Sequence, residues 1–211
     1  MKKYIFILST VLLFSCSTTK QQKRIGITSI PTESTLTKVE SDIVNEFLDI
    51  ELNKELYKRY KDFDFFVIEE ALKKSKPLSD YEFNYKYKNS WGSSITEWIL
   101  DSLQIKKIKD EIENEEVYHW KESDFKSIKT TMLKYEKLRE IIKKGTYGSN
   151  VTKRLIIYLS KPLIINENNA FISFEIGNGQ LGFNSITHFT VLMRKINNKW
   201  VESGFYEDGA F

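Results

Sequence analysis

The chain has 211 residues, of which 41% are hydrophobic, 14% are aromatic and only three are prolines. This composition excludes a disordered, repetitive or collagen-like protein, and the length suits a single domain around one core. The 32 basic residues nearly balance the 29 acidic ones, so there is no excess of positive charge for DNA or RNA, and we expect no nucleic-acid partner.

The N-terminus has the pattern of an export signal. Lys2 and Lys3 form a short basic region, and an apolar run of eleven residues, 4–14, follows. A helix needs roughly 20 apolar residues to span a bilayer, so this run is too short for a membrane span but suits a signal peptide. Removal of this segment with its two lysines would leave 30 basic against 29 acidic residues, a nearly neutral mature protein.

The residues Leu13, Phe14, Ser15 and Cys16 resemble the lipobox of a bacterial lipoprotein signal peptide. The resemblance covers the first 16 residues and implies cleavage after Ser15 and lipidation of Cys16. Cys16 is the only cysteine in the chain, which excludes an intrachain disulfide and a thiol nucleophile further along. In this family an aspartate directly after the cysteine is an inner-membrane retention signal in some bacteria. Ser17 stands there instead, which favours the outer membrane of a Gram-negative bacterium.

This interpretation divides the chain into three parts: a signal peptide over residues 1–15, the lipidated cysteine with a flexible tether over residues 16–37, and a single α+β domain over residues 38–211. The tether is rich in serine and threonine, contains Gly26 and Pro31, and has no helical apolar stripe. About 20 flexible residues reach roughly 25 Å, enough to lift a domain off the lipid headgroups. The alternatives are an ordinary secretory signal with an incidental cysteine, or an uncleaved apolar anchor.

The domain is expected to begin with a helix. Thr37 and Glu40 have capping-box spacing, and apolar residues then recur at helical intervals as far as a break near Asn53. Residues 63–68 have the composition of a strand, and residues 69–76 resemble a helical turn or two ended by Pro77. The choice between strand and helix stays open over residues 63–90.

Four aromatic residues alternate with polar ones in the next segment. This period predicts a half-buried strand with the aromatic rings on one face, and together with Trp91 such a row would form a platform for stacking sugars. The alternatives are an aromatic core face beneath a helix, or a short helix with Tyr81 and Tyr85 on one side. The candidate glycan-binding residues are Tyr81, Phe83, Tyr85, Tyr87 and Trp91.

Two further segments are expected to be helical before the composition changes. Residues 94–103 carry apolar side chains at helical spacing, with Ser94 and Glu97 as cap residues. Residues 106–116 are dense in both charges, but they lack the glycine and the alternating ligands of a calcium loop, which favours a solvated helical face. His119 is too far from the second histidine for a zinc pair, so we expect no metal site, and no motif indicates a cofactor.

The clearest helical pattern runs from Ser123, as N-cap, to Gly145, as the left-handed residue after the C-terminus. The predicted buried stripe comprises Phe125, Ile128, Met132, Tyr135, Leu138 and Ile142.

After Gly145 the sequence predicts a β-meander with strands at 155–159, 163–165, 170–176, 187–196 and 199–206. Asn197 and Asn198 join the last two as a two-residue hairpin, because asparagine tolerates the positive φ of the favoured turn. In this hairpin, the numbers of two residues that face each other across the strands add up to 395. Met193 is therefore expected opposite Glu202, Leu192 opposite Ser203, Arg194 opposite Val201, and Lys195 opposite Trp200 in cation-π contact.

The same register places His188 opposite Glu207, and these two residues are the candidates for catalysis. A histidine held by Glu207 or Asp208 has the tautomer and basicity of a general base, with water as the nucleophile. The alternative is a structural or surface histidine. The glycine-rich loop 177–182 opens no helix and lacks the lysine of a phosphate-binding loop, so it predicts no nucleotide site.

We therefore expect an α+β domain in which helices of residues 38–144 pack on one face of a C-terminal antiparallel meander of four or five strands. This order of elements is similar to nuclear-transport-factor-2-like and cystatin-like folds, although no motif accompanies it. The first hypothesis for function is a non-catalytic envelope lipoprotein, held to the membrane by its lipid, that binds an envelope protein or a glycan. The second is a hydrolase or small-ligand-binding protein that uses a pocket on the concave face of the sheet.

Overall fold

The computed structural model describes residues 35–88, 98–144, 153–178 and 184–208. The helices are α1 (Lys38–Leu52), α2 (Ser75–Tyr87), α3 (Ser102–Glu111) and α4 (Tyr135–Lys144), with short 3-10 helices at Glu55–Tyr60 and Glu122–Asp124. The strands are β1 (Asp64–Ile68), β2 (Thr130–Leu133), β3 (Arg154–Leu159), β4 (Leu163–Asn166), β5 (Asn169–Asn178), β6 (Asn184–Ile196) and β7 (Lys199–Tyr206). The predictions for Cys16, Trp91, Ser94, Glu97 and Gly145 lie outside the described residues.

The strands of the described residues form one mixed sheet. Six of the seven follow the order β2-β1-β3-β5-β6-β7, and β4 pairs with β5 beside this path. β1 runs parallel to β2 and to β3, whereas the other pairs are antiparallel. The predicted α+β class is confirmed, but the purely antiparallel meander of four or five strands is wrong. That meander accounts for β3 to β7 and omits the parallel strands β1 and β2.

Helices cover both faces of the sheet, not one face as expected. On β5, Ala170 and Ile172 belong to the core cluster beneath α1, whereas Phe171 between them belongs to the cluster beneath α2 and α3. Successive strand residues point to opposite faces, so α1 lies on one side of the sheet and α2 on the other. Helix α4 packs on the α2 side, because its cluster includes Ile156, which pairs with Gly177 and so shares the face of Phe171.

Helix α1 forms as the sequence predicts. The Thr37 hydroxyl accepts a hydrogen bond from the backbone N–H of Glu40 at 3.2 Å, and the Glu40 carboxylate accepts one from the N–H of Thr37 at 2.9 Å. This capping box satisfies two N–H groups that no earlier turn can bond. The helix ends at Asn53, and its buried stripe comprises Ile43, Val44, Phe47 and Leu48.

The aromatic segment 81–87 is the second half of helix α2, so the predicted strand is wrong and the alternative of a short helix is right. Tyr81 and Tyr85 lie one turn apart on the buried side, with ring centroids 6.2 Å apart, and Phe83 and Tyr87 form a second pair at 5.0 Å. Aromatic residues at every second position also form two pairs that are four residues apart, which is the spacing of one helical turn. The alternating pattern alone therefore could not exclude a helix. Residues 69–74 are not helical, and Pro77 lies in the first turn of α2, where its missing N–H breaks no bond.

Helix α3 begins later than predicted. Residues 98–101 are not helical, and Asp101 is the N-cap, accepting hydrogen bonds from the N–H groups of Leu103 and Gln104 at 2.9 Å and 2.8 Å. Aspartate is among the preferred N-cap residues, and Gln104 completes a capping box. The solvated charged face is present from Lys106 as far as Glu111, where the helix ends.

The long helix predicted from Ser123 to Gly145 is wrong in its first half. Residues 130–133 form β2, which pairs in parallel with β1, and α4 starts at Tyr135. Two adjacent β-branched residues, Thr130 and Thr131, favour a strand, and the neighbouring β1 offers backbone partners that the local apolar spacing cannot reveal. Met132 is therefore a half-buried strand residue, whereas Leu138 is a buried residue of α4.

The hairpin between β6 and β7 confirms most of the predicted register. Asn197 and Asn198 have φ angles of 50° and 63°, and Met193, Arg194 and Lys195 pair with Glu202, Val201 and Trp200. The Lys195 ammonium lies 5.9 Å from the centre of the Trp200 ring. The prediction fails at Leu192, which pairs with Gly204 and not with Ser203, because Ser203 forms a β-bulge.

The packing of α4 on the sheet is testable. Leu138→Ala should lower the free energy of unfolding by about 2–5 kcal/mol, because Leu138 is 3% exposed and packs in the cluster beneath α4. Leu103→Ala is the control, since Leu103 is 79% exposed on α3 and its loss should change stability by less than about 0.5 kcal/mol. Denaturant unfolding measures both. Equal stability of the two variants would contradict the packing.

Candidate functional site

The bulge at Ser203 decides which acidic residue reaches His188. Beyond the bulge, the numbers of two facing residues add up to 396, so Tyr206 pairs with Thr190. Two residues further along each strand, the same register places Asp208 opposite His188. The predicted position of Glu207 opposite His188 is wrong. The backbone carbonyl of Glu207 accepts a hydrogen bond from the side-chain amide of Asn84 at 2.7 Å.

His188 is bonded to Asp208, the second of the two partners that the sequence leaves open. The distance from His188 Nδ1 to the Asp208 carboxylate is 2.8 Å, and the side chains are 38% and 16% exposed. On the other side, His188 pairs across the ladder with Glu175 of β5. A carboxylate on Nδ1 fixes the orientation of the ring, so Nε2 is the nitrogen that faces any further partner.

Behind His188, a chain of hydrogen bonds runs into the core. The Lys76 ammonium lies 2.7 Å and 2.8 Å from the two Asp80 oxygens and 3.7 Å from Asp208. The Thr190 hydroxyl donates to Asp80 at 2.6 Å and lies 2.5 Å from the Ser173 hydroxyl. Thr190 has one hydroxyl proton, which Asp80 accepts, so Ser173 is the donor to Thr190. Asp80, Thr190 and Ser173 are buried, and each is satisfied within this chain.

Burial sets the electrostatics of this site. It raises the pKa of Asp80, against the opposing hydrogen bonds from Lys76 and Thr190. It also raises the pKa of Glu175, against an opposing electrostatic interaction with His188. Both carboxyl groups therefore hold a proton more tightly than an exposed carboxyl does.

The arrangement is able to support proton transfer. His188, oriented by Asp208, has the geometry of a general base, and Glu175 beside it is a carboxyl with a raised pKa, which suits a general acid. The hydroxyls nearest to it in the sheet, Thr190 and Ser173, are bonded to Asp80 and to each other, which leaves neither as an activated nucleophile. Among the described residues, no group of three or more His, Cys, Asp and Glu side chains is placed to hold a metal ion.

The aromatic candidates do not form one platform. Tyr81 is fully buried, and its hydroxyl donates to the Leu100 carbonyl at 3.0 Å and accepts from the Leu100 N–H at 2.8 Å. Phe83 and Tyr87 lie on the outer side of α2, 39% and 38% exposed, while Tyr85 packs against the cluster beneath α2. A helix divides the row between two faces, so four rings in line are not available to a sugar.

His119, the other histidine, is exposed and lies 3.5 Å from Glu69.

Sequence reasoning missed Lys76, Asp80, Glu175 and Thr190. The helical turns predicted over residues 69–76 end before Asp80, and the four-residue spacing of Lys76 and Asp80 is meaningful only on one continuous helix. Glu175 and Thr190 lie in correctly predicted strands. Their positions beside His188 and Asp80 depend on the pairing of β5 with β6 and on the docking of α2, for which no local signal exists.

No protein-family model, curated protein or solved structure matches the chain. In the described residues, no helix is both long and apolar enough to cross a membrane.

Glu175 provides a test of the site's electrostatics. Glu175→Gln should stabilise the protein near pH 7, because burial raises the pKa of Glu175 and the ionised form therefore destabilises the folded state. This penalty disappears as the pH falls through the raised pKa, so the variant and the wild type should be equally stable below the ordinary value of 4.5. Denaturant unfolding at about pH 7 and about pH 4 measures the difference. Glu167→Gln, on an exposed turn, is the control, and an unchanged stability of Glu175→Gln at neutral pH would contradict the assignment.

Proposed function

We propose that the protein is a lipid-anchored lipoprotein of the bacterial envelope, in the outer membrane of a Gram-negative organism, with a non-catalytic binding or structural role. The observation that carries this proposal is the position of Cys16. The only cysteine of the chain follows a basic start, an apolar run of eleven residues and the small residue Ser15. A lipobox requires a cysteine at this place.

Lipidation provides an anchor without a membrane-spanning helix. Each acyl methylene buried in the bilayer contributes about 0.8 kcal/mol, so several chains on one cysteine hold the protein for a long time. The segment that precedes the capping box of α1, rich in serine and threonine, then acts as the tether between the lipid and the folded domain.

Two features of the domain favour a non-catalytic role. The hydroxyls of Thr190 and Ser173 are committed to the buried carboxylate of Asp80 and to each other. The Lys76 ammonium is bonded to the same carboxylate. These groups stabilise the fold because each provides hydrogen-bond partners for the others, which buried polar groups require.

The anchor is tested by the cysteine itself. Cys16→Ala should move the protein from the membrane fraction to soluble or precursor forms and should abolish labelling by a radioactive fatty acid. Ser17→Ala, the control one residue away, should remain membrane-bound and labelled. Fractionation with metabolic labelling measures both. Membrane association of Cys16→Ala equal to that of the wild type, with no acyl label on the wild type, would overturn the proposal.

A second candidate is a hydrolase, favoured by one observation. His188 Nδ1 lies 2.8 Å from Asp208, which is the orientation that a general base needs to activate water. We expect His188→Gln to fold and to release product from glycan and ester substrates of the envelope at the same background rate as the wild type. General-base catalysis contributes about 10² to 10⁴ in rate, so a loss of that size in the folded variant would favour the enzyme over the binding protein.

A further inference from the structure

Strand β4 is bonded on one side only. It pairs with β5 through Leu163 and Phe171 and through Ile164 and Ala170, and no described strand pairs with its other edge. A strand in this position presents a row of unpaired N–H and C=O groups on its outer side. Such an edge is a template for one more strand.

A groove of about 570 Å³ runs along this edge. All four residues of β4 line it, 163–166, although successive strand residues point to opposite faces of the sheet. A cavity in contact with all four must therefore lie against the hydrogen-bonding edge and not against either face. The volume is in the range of about 300–1,000 Å³ that is usual for binding pockets.

Helix α3 provides the opposite wall of the groove. Ile108 and Ile112 present apolar side chains there, and Gln104 adds an amide at the N-terminal end of the helix. An extended chain in the groove would have β4 main chain on one side and this helix on the other. Its alternate side chains would meet the apolar wall, as in the recognition of peptides by strand addition.

Natural edge strands are usually protected by charges, prolines or bulges that face outward. Strand β4, with the residues Leu163, Ile164, Ile165 and Asn166, has neither a charge nor a proline, and Ile164 is 40% exposed, but its pairing with β5 shifts register between Ile164 and Asn166. Within β4 this irregularity is the only one of these devices, and neither a charge nor a proline blocks the outer edge.

The charges at the rim restrict the occupant. Two cations, Lys74 and Lys107, and two anions, Glu40 and Glu111, line the groove, so its lining carries no net charge. A rim without net charge is complementary to an uncharged segment, since a charged one would lose its hydration without gaining a counterion.

We propose that the groove between β4 and α3 binds an extended, uncharged segment of a partner protein, which adds to the sheet as a strand beside β4. This inference rests on the binding role proposed above and names the class of partner. It does not depend on His188 or on the exposed rings of α2.

The test uses the full, lipidated protein in detergent micelles, so the anchor is present in every sample. The probe is a fluorescein-labelled peptide of alternating valine and threonine, six residues long, and the control peptide carries N-methyl groups on every backbone amide. We expect the first peptide to bind in fluorescence anisotropy and to slow hydrogen exchange at those amides of β4 that face the outer edge. The methylated peptide should bind at least tenfold more weakly, because it cannot bond to the edge.

Two protein variants locate the binding. Ile164→Lys places a charge on the edge, and Lys107→Trp covers the groove; both residues are exposed, so both variants should fold. Each should weaken binding at least tenfold, whereas Leu103→Lys, on the outer side of the same helix, should leave it unchanged. Thermal unfolding confirms that the variants are folded.

Three results would overturn the inference: no binding of the unmethylated peptide at about 1 mM, equal binding of the two peptides, or normal binding to Ile164→Lys and Lys107→Trp. A dimer of the wild type that both variants dissociate, and Leu103→Lys does not, would assign the edge to a second copy of the chain. Because Cys16 is intact throughout, each of these results leaves the test of lipidation independent.

Discussion

The buried carboxylate of Asp80 is the constraint on which one side of this structure depends. A carboxylate in the core is stable only when charged or hydroxyl partners replace its water, and Asp80 has the Lys76 ammonium on its own helix and the Thr190 hydroxyl on β6. The Lys76 pair lies within α2, so the bond from Thr190 is the one that ties α2 to a particular place on the sheet. That position places Tyr81 on Phe171 and Tyr206, with ring centroids 4.9 Å and 5.0 Å away, and so defines the second core cluster.

The bulge at Ser203 makes this position of α2 compatible with β7. In an unbroken ladder, Tyr206 would face Phe189 and point to the α1 side of the sheet. The extra residue turns Tyr206 beneath α2 and brings Asp208 to His188, so one irregularity in one strand supplies both a core side chain and the acidic partner of the histidine. Glu202, before the bulge, remains on the α1 side, where it lies 2.9 Å from Lys54.

Helices pack on both faces of the sheet, and the binding that we propose uses an edge. The hypothesis of a pocket on a concave face assumed helices on one side, whereas α1 packs on one face and α2 and α4 pack on the other. The main chain of β4 lies in an open groove with apolar side chains on its helical wall. This geometry is the reason why the proposed partner is an extended polypeptide and not a flat sugar ring.

The sequence by itself determined the elements whose signals are local. The capping box of Thr37 and Glu40 and the two asparagines of the hairpin need no distant partner, because each depends on neighbouring backbone geometry. The strands after Gly145 were recognisable as short apolar runs between turn residues. The proposed lipobox at Cys16 also rests on adjacent residues alone. Tertiary structure alone decided the rest: parallel pairing made 130–133 a strand, docking on Phe171 made 81–87 a helix, and the bulge chose Asp208 over Glu207 for His188. In each case two local conformations were compatible with the same spacing of apolar residues, and the contacts that selected one come from residues distant in the chain.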